Sequence, residues 1–173
     1  GASIAAKAAP DGYTFFMGAA HHAIAPAMYP ALDYDIEKSF IPLLLVASPP
    51  QVIVVNPQRV EAKDLKSLVD FAKKNPGKLN YASQGNGSVS HIGTEMFKQT
   101  TGVDMVHVPY KGSGPAIQDV LAGQVQVFIS TPPSLMQHIQ SGKLKGLAVT
   151  GKNRHPGKHS GRGIERLSPA LIS

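Results

Sequence analysis

The chain has 173 residues, 42% of them apolar and 16% charged, with no cysteine and a formal net charge of +6. That length suits one ordinary domain or two small lobes; the missing cysteine excludes disulfides, thiolate metal sites and a cysteine nucleophile, and no apolar run reaches the ~18–20 residues of a membrane-spanning helix. Residues 1–150 hold 12 Lys+Arg against 10 Asp+Glu, so most of the excess sits in a Gly-, His- and Lys-rich tail from Gly151, and the near-neutral body argues against a nucleic-acid partner.

In chain order, Ile4-Ala5-Ala6-Lys7-Ala8-Ala9 reads as the back half of a helix, stopped by the turn signal Pro10-Asp11-Gly12. Residues 13–17 follow as a short apolar strand. After Gly18-Ala19-Ala20 a helix is predicted from His21 or His22 to Met28, ended at Tyr29-Pro30. Two strand-like runs, 43–47 and 52–55, are split by Pro49-Pro50. Leu65, Leu68, Val69 and Ala72 at i, i+3, i+4 and i+7 predict the clearest helix, stopped by Asn75-Pro76-Gly77.

A strand at 79–82 leads into a Gly- and Ser-rich loop, then a helix with Val89, Ile92, Met96 and Phe97 on one face and Glu95, Lys98 and Gln99 opposite. A strand at 105–108, a loop at 109–113 and a helix carrying Ile117, Val120 and Leu121 come next, with Gly123 ending that helix. A strand at 125–129, a loop at 130–133, a helix at 134–140 and a strand at 144–149 complete the pattern. Strand–helix alternation with short connections predicts an α/β fold, its mainly parallel sheet covered by helices. Ligands of such sheets collect at the carboxyl ends of strands. Three loops lie there: 83–88, 109–113 and 130–134.

The loop Ser83-Gln84-Gly85-Asn86-Gly87-Ser88 carries the most chemistry. A strand, a small-residue turn and a helix start place free backbone N–H groups, the positive end of a helix dipole and hydroxyls around one space, which suits a carboxylate or phosphate. The same residues also make a tight strand–helix connection, because Gly and Asn tolerate φ > 0. Ser88 reads as the helix N-cap under either view, and Ser90 and His91 read as helix-face residues.

Other chemistries fit less well. Gly85-x-Gly87 followed by Asp104 is a partial dinucleotide pattern, so a nucleotide-binding α/β enzyme is the alternative. Position 90, however, holds Ser where the third Gly or Ala belongs, and Asp104 opens its strand. A Ser/His hydrolase lacks the G-x-S-x-G elbow and an acid to orient the histidine. His21-His22 has no third ligand nearby, so no metal is expected. No cofactor is implied.

Ala9-Pro10-Asp11-Gly12-Tyr13-Thr14, Asn75-Pro76-Gly77-Lys78-Leu79-Asn80-Tyr81-Ala82-Ser83, His107-Val108-Pro109-Tyr110-Lys111-Gly112 and Gly142-Lys143-Leu144 occur in one order. Together, over roughly residues 2–152, they resemble the Bug-type periplasmic receptors of tripartite tricarboxylate transporters. The resemblance implies a two-lobed periplasmic binding protein of type II fold. Such a protein is monomeric and non-catalytic, closes on a small carboxylated solute and presents it to membrane transport subunits. The implied lobes are residues 1–50, a partial first lobe, and 51–146, the second. Residues 147–173 form a crossover strand and an atypical basic tail.

The resemblance also implies site residues: Gly18, Ala19, Ala20 and His21 on a first-lobe loop, with His22 beside them, and Ser83, Gln84, Gly85, Asn86, Gly87 and Ser88 on a second-lobe loop. Ser130 and Thr131 match a cleft loop where many relatives carry Asp-Asn, a departure at the far end of the ligand. A carboxylate is expected on the amides of residues 85–88, with the hydroxyls of Ser83 and Ser88 adding bonds. Residues 47–55 and 144–150 match segments that cross between lobes.

The chain opens on Gly1-Ala2-Ser3 without Met, and the family's first strand and Gly-rich loop lie upstream of Gly1. Beyond Arg154 it departs from the family's Leu-Pro-Asp-Val-Pro-Thr-like continuation, reading His155-Pro156-Gly157-Lys158-His159-Ser160-Gly161-Arg162. The expectation is a fragment with a nearly complete second lobe and an incomplete first one.

Overall fold

A computed structural model describes residues 1–151 together with Glu165 and Arg166. The expectations for the tail from Arg154 to Arg162 lie outside the described residues. The chain divides into two compact units, Gly1–Ser48 and Pro49–Ser173.

The first unit carries two helices, α1 (Ala2–Ala6) and α2 (Ala20–Met28). Ala19 cannot cap α2 with its own side chain, and its N–H instead donates to His22 Nδ1 at 3.0 Å. The strands expected at 13–17 and 43–47 do not form. Neither run has a ladder partner among the described residues, and strand propensity is realised only where a neighbouring chain takes up the backbone groups. Their apolar side chains stay exposed, Phe15, Met17, Leu43 and Leu45 among them.

The second unit is a sheet between two helical layers. Its elements run β1 (Val52–Val55), α3 (Leu65–Lys74), β2 (Leu79–Ser83), α4 (Val89–Thr101), β3 (Met105–Pro109), α5 (Ser113–Leu121), β4 (Val127–Ser130), α6 (Pro132–Gln140), β5 (Lys145–Val149) and β6 (Glu165–Arg166). The strand order is β3-β2-β4-β1-β5-β6. The pairs β2–β3, β2–β4 and β5–β6 are parallel, and β1 runs antiparallel between β4 and β5. The predicted α/β fold is therefore present, with β1 as the reversed strand that makes the sheet mixed.

Both faces of the sheet are covered, so β1 reads as an unbroken apolar run, Val-Ile-Val-Val, buried throughout. Its side chains alternate. Ile53 and Val55 join Leu65, Leu68, Val69, Tyr81 and Phe97 in a core under α3 and α4. Val52 and Val54 join Ile117, Val120, Phe128, Leu135 and Ile139 in a core under α5 and α6. Each fully buried aliphatic side chain contributes about 1.5–3 kcal/mol. The strand expected at 144–149 belongs to the same sheet: beyond its end Thr150 N–H donates to the Gln51 carbonyl, and Gln51 N–H returns a bond to Thr150 Oγ1, both at 2.9 Å.

Helix starts follow local chemistry. Asp64 caps α3, accepting from Ser67 N–H at 2.8 Å, while Ser67 Oγ accepts from Asp64 N–H. Helix α6 starts at Pro132, two residues before the predicted Ser134, because proline fits the first turn, whose N–H groups lack partners anyway. Helix α4 buries Ser90, Thr94, Phe97 and Thr101, whereas Met96 is 63% exposed. The expected apolar face is thus rotated. Thr94 and Thr101 satisfy their hydroxyls on the carbonyls four residues back, at 2.7 and 2.6 Å, and so can go inside.

Candidate functional site

Because β2, β3 and β4 are parallel, their carboxyl ends lie on one edge of the sheet, and each leads straight into a helix. The N-termini of α4, α5 and α6 therefore gather beyond Ser83, Pro109 and Ser130. Gln84 ties the three together. Its Nε2 donates to Ser113 Oγ on α5 at 2.8 Å and to Ser130 Oγ at the end of β4 at 3.0 Å. Ser130 Oγ also pairs with Ser134 Oγ on α6 at 3.2 Å.

The 83–88 loop is tied largely to itself. Gly85 N–H donates to Ser83 Oγ, Gln84 N–H to Ser90 Oγ, Ser88 N–H to the Gly85 carbonyl and Gly87 N–H to His91 Nδ1. Ser88 Oγ donates to the Gly85 carbonyl at 2.6 Å and accepts from His91 N–H at 3.3 Å. Gly85 is required by two constraints. Its φ is +125°, and a Cβ there would lie 3.3 Å from the Tyr110 carbonyl oxygen.

Among the described residues, the N–H groups of Asn86, Val89 and Ser90 have no acceptor, nor do those of Ser113 and Gly114 at the start of α5. These are the donors that the two helix starts leave open. Helix α6 offers none at its first two positions, which are prolines. Ser83 and Ser130 are fully buried, so their hydroxyls hold the walls of the site together. Asn86 is exposed, and Gln84, Ser88 and Thr131 are half-buried. In the first unit, Gly18 and Ala19 lead into α2, where Ala20 and His21 are the first two residues.

Sequence reasoning missed the support behind the loop. Tyr81, His107 and His91 form a stack, with ring centroids 4.8 Å apart for Tyr81–His107 and 4.1 Å for His107–His91. His107 Nε2 lies 2.6 Å from Ser83 Oγ. Burial lowers the His107 pKa below its ordinary value, and the neighbouring His91 lowers it further. Tyr81 donates to Glu95 Oε1 at 2.5 Å, and Lys98 Nζ reaches the same oxygen at 2.9 Å. No signal in the sequence could have found the stack, because it depends on the strand register that sets Tyr81 directly beside His107.

Tyr110 turns back onto α5 and donates to Asp119 Oδ2 at 2.7 Å. Burial and that carboxylate push its pKa up to about 12.

The geometry also weighs the rival chemistries. The Ser83–His107 contact places a hydroxyl on an imidazole, but Ser83 is closed to substrate and no carboxylate hydrogen-bonds His107 among the described residues. Asp104 precedes β3, about 16 Å of strand from the loop end, too far to share a ribose with it. A cavity of about 380 Å³ at the opposite end of the sheet is lined by Asn56, Gln118 and Lys143. There the Asn56 amide donates to the Val120 and Leu121 carbonyls, closing the end of α5. That arrangement is structural.

The family model described as the tripartite tricarboxylate transporter family receptor matches residues 1–158. Protein BugT of Bordetella pertussis is 35% identical over 156 residues, covering 89% of this chain and 48% of BugT. A solved periplasmic transporter is 44% identical with a TM-score of 0.81, covering 90% of this chain and 52% of that one. R. palustris Rpa4515 with adipate is 31% identical with a TM-score of 0.79, covering 95% and 54%. MatC from Rhodopseudomonas palustris with bound malate is 32% identical with a TM-score of 0.75, covering 90% and 53%. The chain spans about half the length of the relatives it matches. Solved relatives also include the periplasmic binding protein BugD, 35% identical with a TM-score of 0.79, and the chain belongs to the tripartite tricarboxylate transporter receptor family.

Proposed function

We propose that this chain is part of a periplasmic receptor that captures a small carboxylated metabolite and hands it to membrane transport subunits, acting as a monomer and without chemistry. The observation that carries this reading is the convergence of two helix N-termini with open N–H donors, α4 and α5, on the loops beyond β2 and β3. One carboxylate oxygen would accept from Asn86, Val89 or Ser90, and Ser113 and Gly114 lie on the next helix start. Ser83, Gln84, Gly85, Gly87, Ser88 and Ser130 would hold that cradle in shape, with Thr131 at its rim. Gly18, Ala19, Ala20 and His21 would serve the ligand from the first lobe, since α2 likewise begins with open N–H groups. Adipate and malate in the two R. palustris relatives support a dicarboxylate as the substrate class.

Charge-assisted hydrogen bonds of this kind are worth roughly 1.5–3 kcal/mol each before desolvation. Thermal-shift screening of the intact receptor against malate, adipate, citrate and NAD is the test. Stabilisation by a carboxylate alone is expected. Stabilisation by NAD and by no carboxylate would overturn the proposal.

A further inference from the structure

Two histidines outside the open cradle each hold one end of the 83–88 loop from behind. His91 Nδ1 accepts the Gly87 N–H at 3.1 Å, so this nitrogen carries no proton. His107 Nε2 contacts Ser83 Oγ at 2.6 Å, and the same Ser83 oxygen accepts the Gly85 N–H at 3.2 Å. The two imidazoles lie face to face, 4.1 Å apart and 8° from parallel. The titratable and charged groups around them are Tyr81 from β2 and Glu95 and Lys98 from α4. Glu95 is already engaged by the Tyr81 hydroxyl and the Lys98 ammonium, which leaves it a weak counter-ion for an imidazolium.

A proton added to His91 Nδ1 would set a donor against the Gly87 donor and break that bond. A proton on either ring also puts a cation against its stacked neighbour, which makes the second protonation harder. Both effects act on the turn that aims the Asn86, Val89 and Ser90 amides.

We infer that His91 and His107 are positioning residues whose neutral forms hold the 83–88 loop in its carboxylate-binding shape, and that protonating the pair releases Gly87 and weakens carboxylate binding. The loop-holding half stands on the geometry alone, and the affinity half rests on the proposed function of this loop. The sign follows from the geometry, since His91 Nδ1 can accept the Gly87 N–H only while it carries no proton, so acid releases the loop. At the other end, burial and the neighbouring ring lower the His107 pKa, so its contact with Ser83 keeps a neutral imidazole until the pH falls below the ordinary value of about 6.5.

Nitrogen-15 NMR of the imidazoles and of the Gly87 amide, with malate titrations of the intact receptor from pH 8 to pH 5, tests this. His91 is expected as the Nε2–H tautomer at neutral pH, with the Gly87 amide shifting through one transition on acidification. Malate affinity is expected to be level above pH 7 and to fall about tenfold or more by pH 5. His91→Asn, which keeps an acceptor near the Nδ1 position but cannot take up a proton, is expected to bind at neutral pH and to lose the Gly87 amide transition on acidification. His91→Phe, which keeps the stack but loses the acceptor, is expected to bind more weakly at every pH. A proton on His91 Nδ1 at neutral pH, an unchanged transition in His91→Asn or tighter malate binding in acid would each overturn the inference. Absence of malate binding at every pH would instead count against malate as a ligand and leave the tautomer and Gly87 measurements to decide the loop-holding half.

Discussion

Gln84 is the most informative residue to remove, because one side-chain amide joins three elements. Gln84→Ala deletes the donor shared by Ser113 Oγ and Ser130 Oγ, two neutral hydrogen bonds at 2.8 and 3.0 Å. Each is worth about 0.5–1.5 kcal/mol net, which gives about 1–3 kcal/mol. Ser130 is fully buried, so losing a partner there costs more than on the surface. It nevertheless keeps Ser134 at 3.2 Å, which holds the total near 2 kcal/mol. In a chain of this size that lowers the Tm by about 4–8 °C. Urea unfolding with an unchanged m-value is the measurement. Gln84→Glu separates wiring from binding: the serine hydroxyls can turn and donate to a carboxylate, so stability changes less. A negative charge beside the open amides, however, should cut carboxylate affinity at least about tenfold. A loss below about 0.5 kcal/mol in Gln84→Ala, or equal affinity losses in both variants, would refute the reasoning.

Two further outcomes follow from backbone geometry and capping. Asp64→Ala should cost about 1 kcal/mol by uncapping α3. The Ser67 N–H holds the Asp64 pKa below the usual carboxylate value, so this contribution is present above about pH 4 and disappears as pH falls through the lowered value; the variant should lose that acid dependence in denaturation curves. Gly85→Ala forces a side chain into φ +125° with its Cβ 3.3 Å from the Tyr110 carbonyl, and should cost about 1–3 kcal/mol together with the carboxylate-induced thermal shift. Unchanged unfolding in either variant argues against the local geometry described.

Much of the second unit was legible because its signals are local. Leu65, Leu68, Val69 and Ala72 share one helix face, and all four are buried. The switch from period 2 to period 3.6 around residues 83–88 marks the strand–helix junction. What the residues hid is what depends on partners. The runs at 13–17 and 43–47 look like strands but have nothing to pair with among the described residues. Thr94 and Thr101 look polar yet pack inside once their hydroxyls find their own helix. The loop amides looked open as a group, but Gly85, Gly87 and Ser88 are already engaged, and the open donors start at Asn86 and Val89. No period in the sequence could pair His91 with His107, since the contact joins a helix to a strand and exists only through sheet register.

The kind of donor that the site presents fixes how a ligand should respond to salt. No arginine or lysine lies in the 83–88 or 130–134 loop, and Lys111 in the 109–113 loop is exposed. The positive field therefore comes from peptide dipoles at the helix starts, equivalent to about half an elementary charge each and decaying within one turn. Such a field acts at contact distance, inside the Debye length of about 8–10 Å at moderate ionic strength. Long-range attraction contributes little, and the hydrogen bonds that remain are barely screened. Carboxylate affinity should therefore change less than about threefold between 0.05 and 0.5 M sodium chloride, whereas capture by an exposed lysine would weaken steeply. Calorimetric titration of malate across that range distinguishes the two. A drop of more than about tenfold, abolished by Lys111→Gln, would move the recognition from the peptide amides to Lys111 and sink the amide-cradle account.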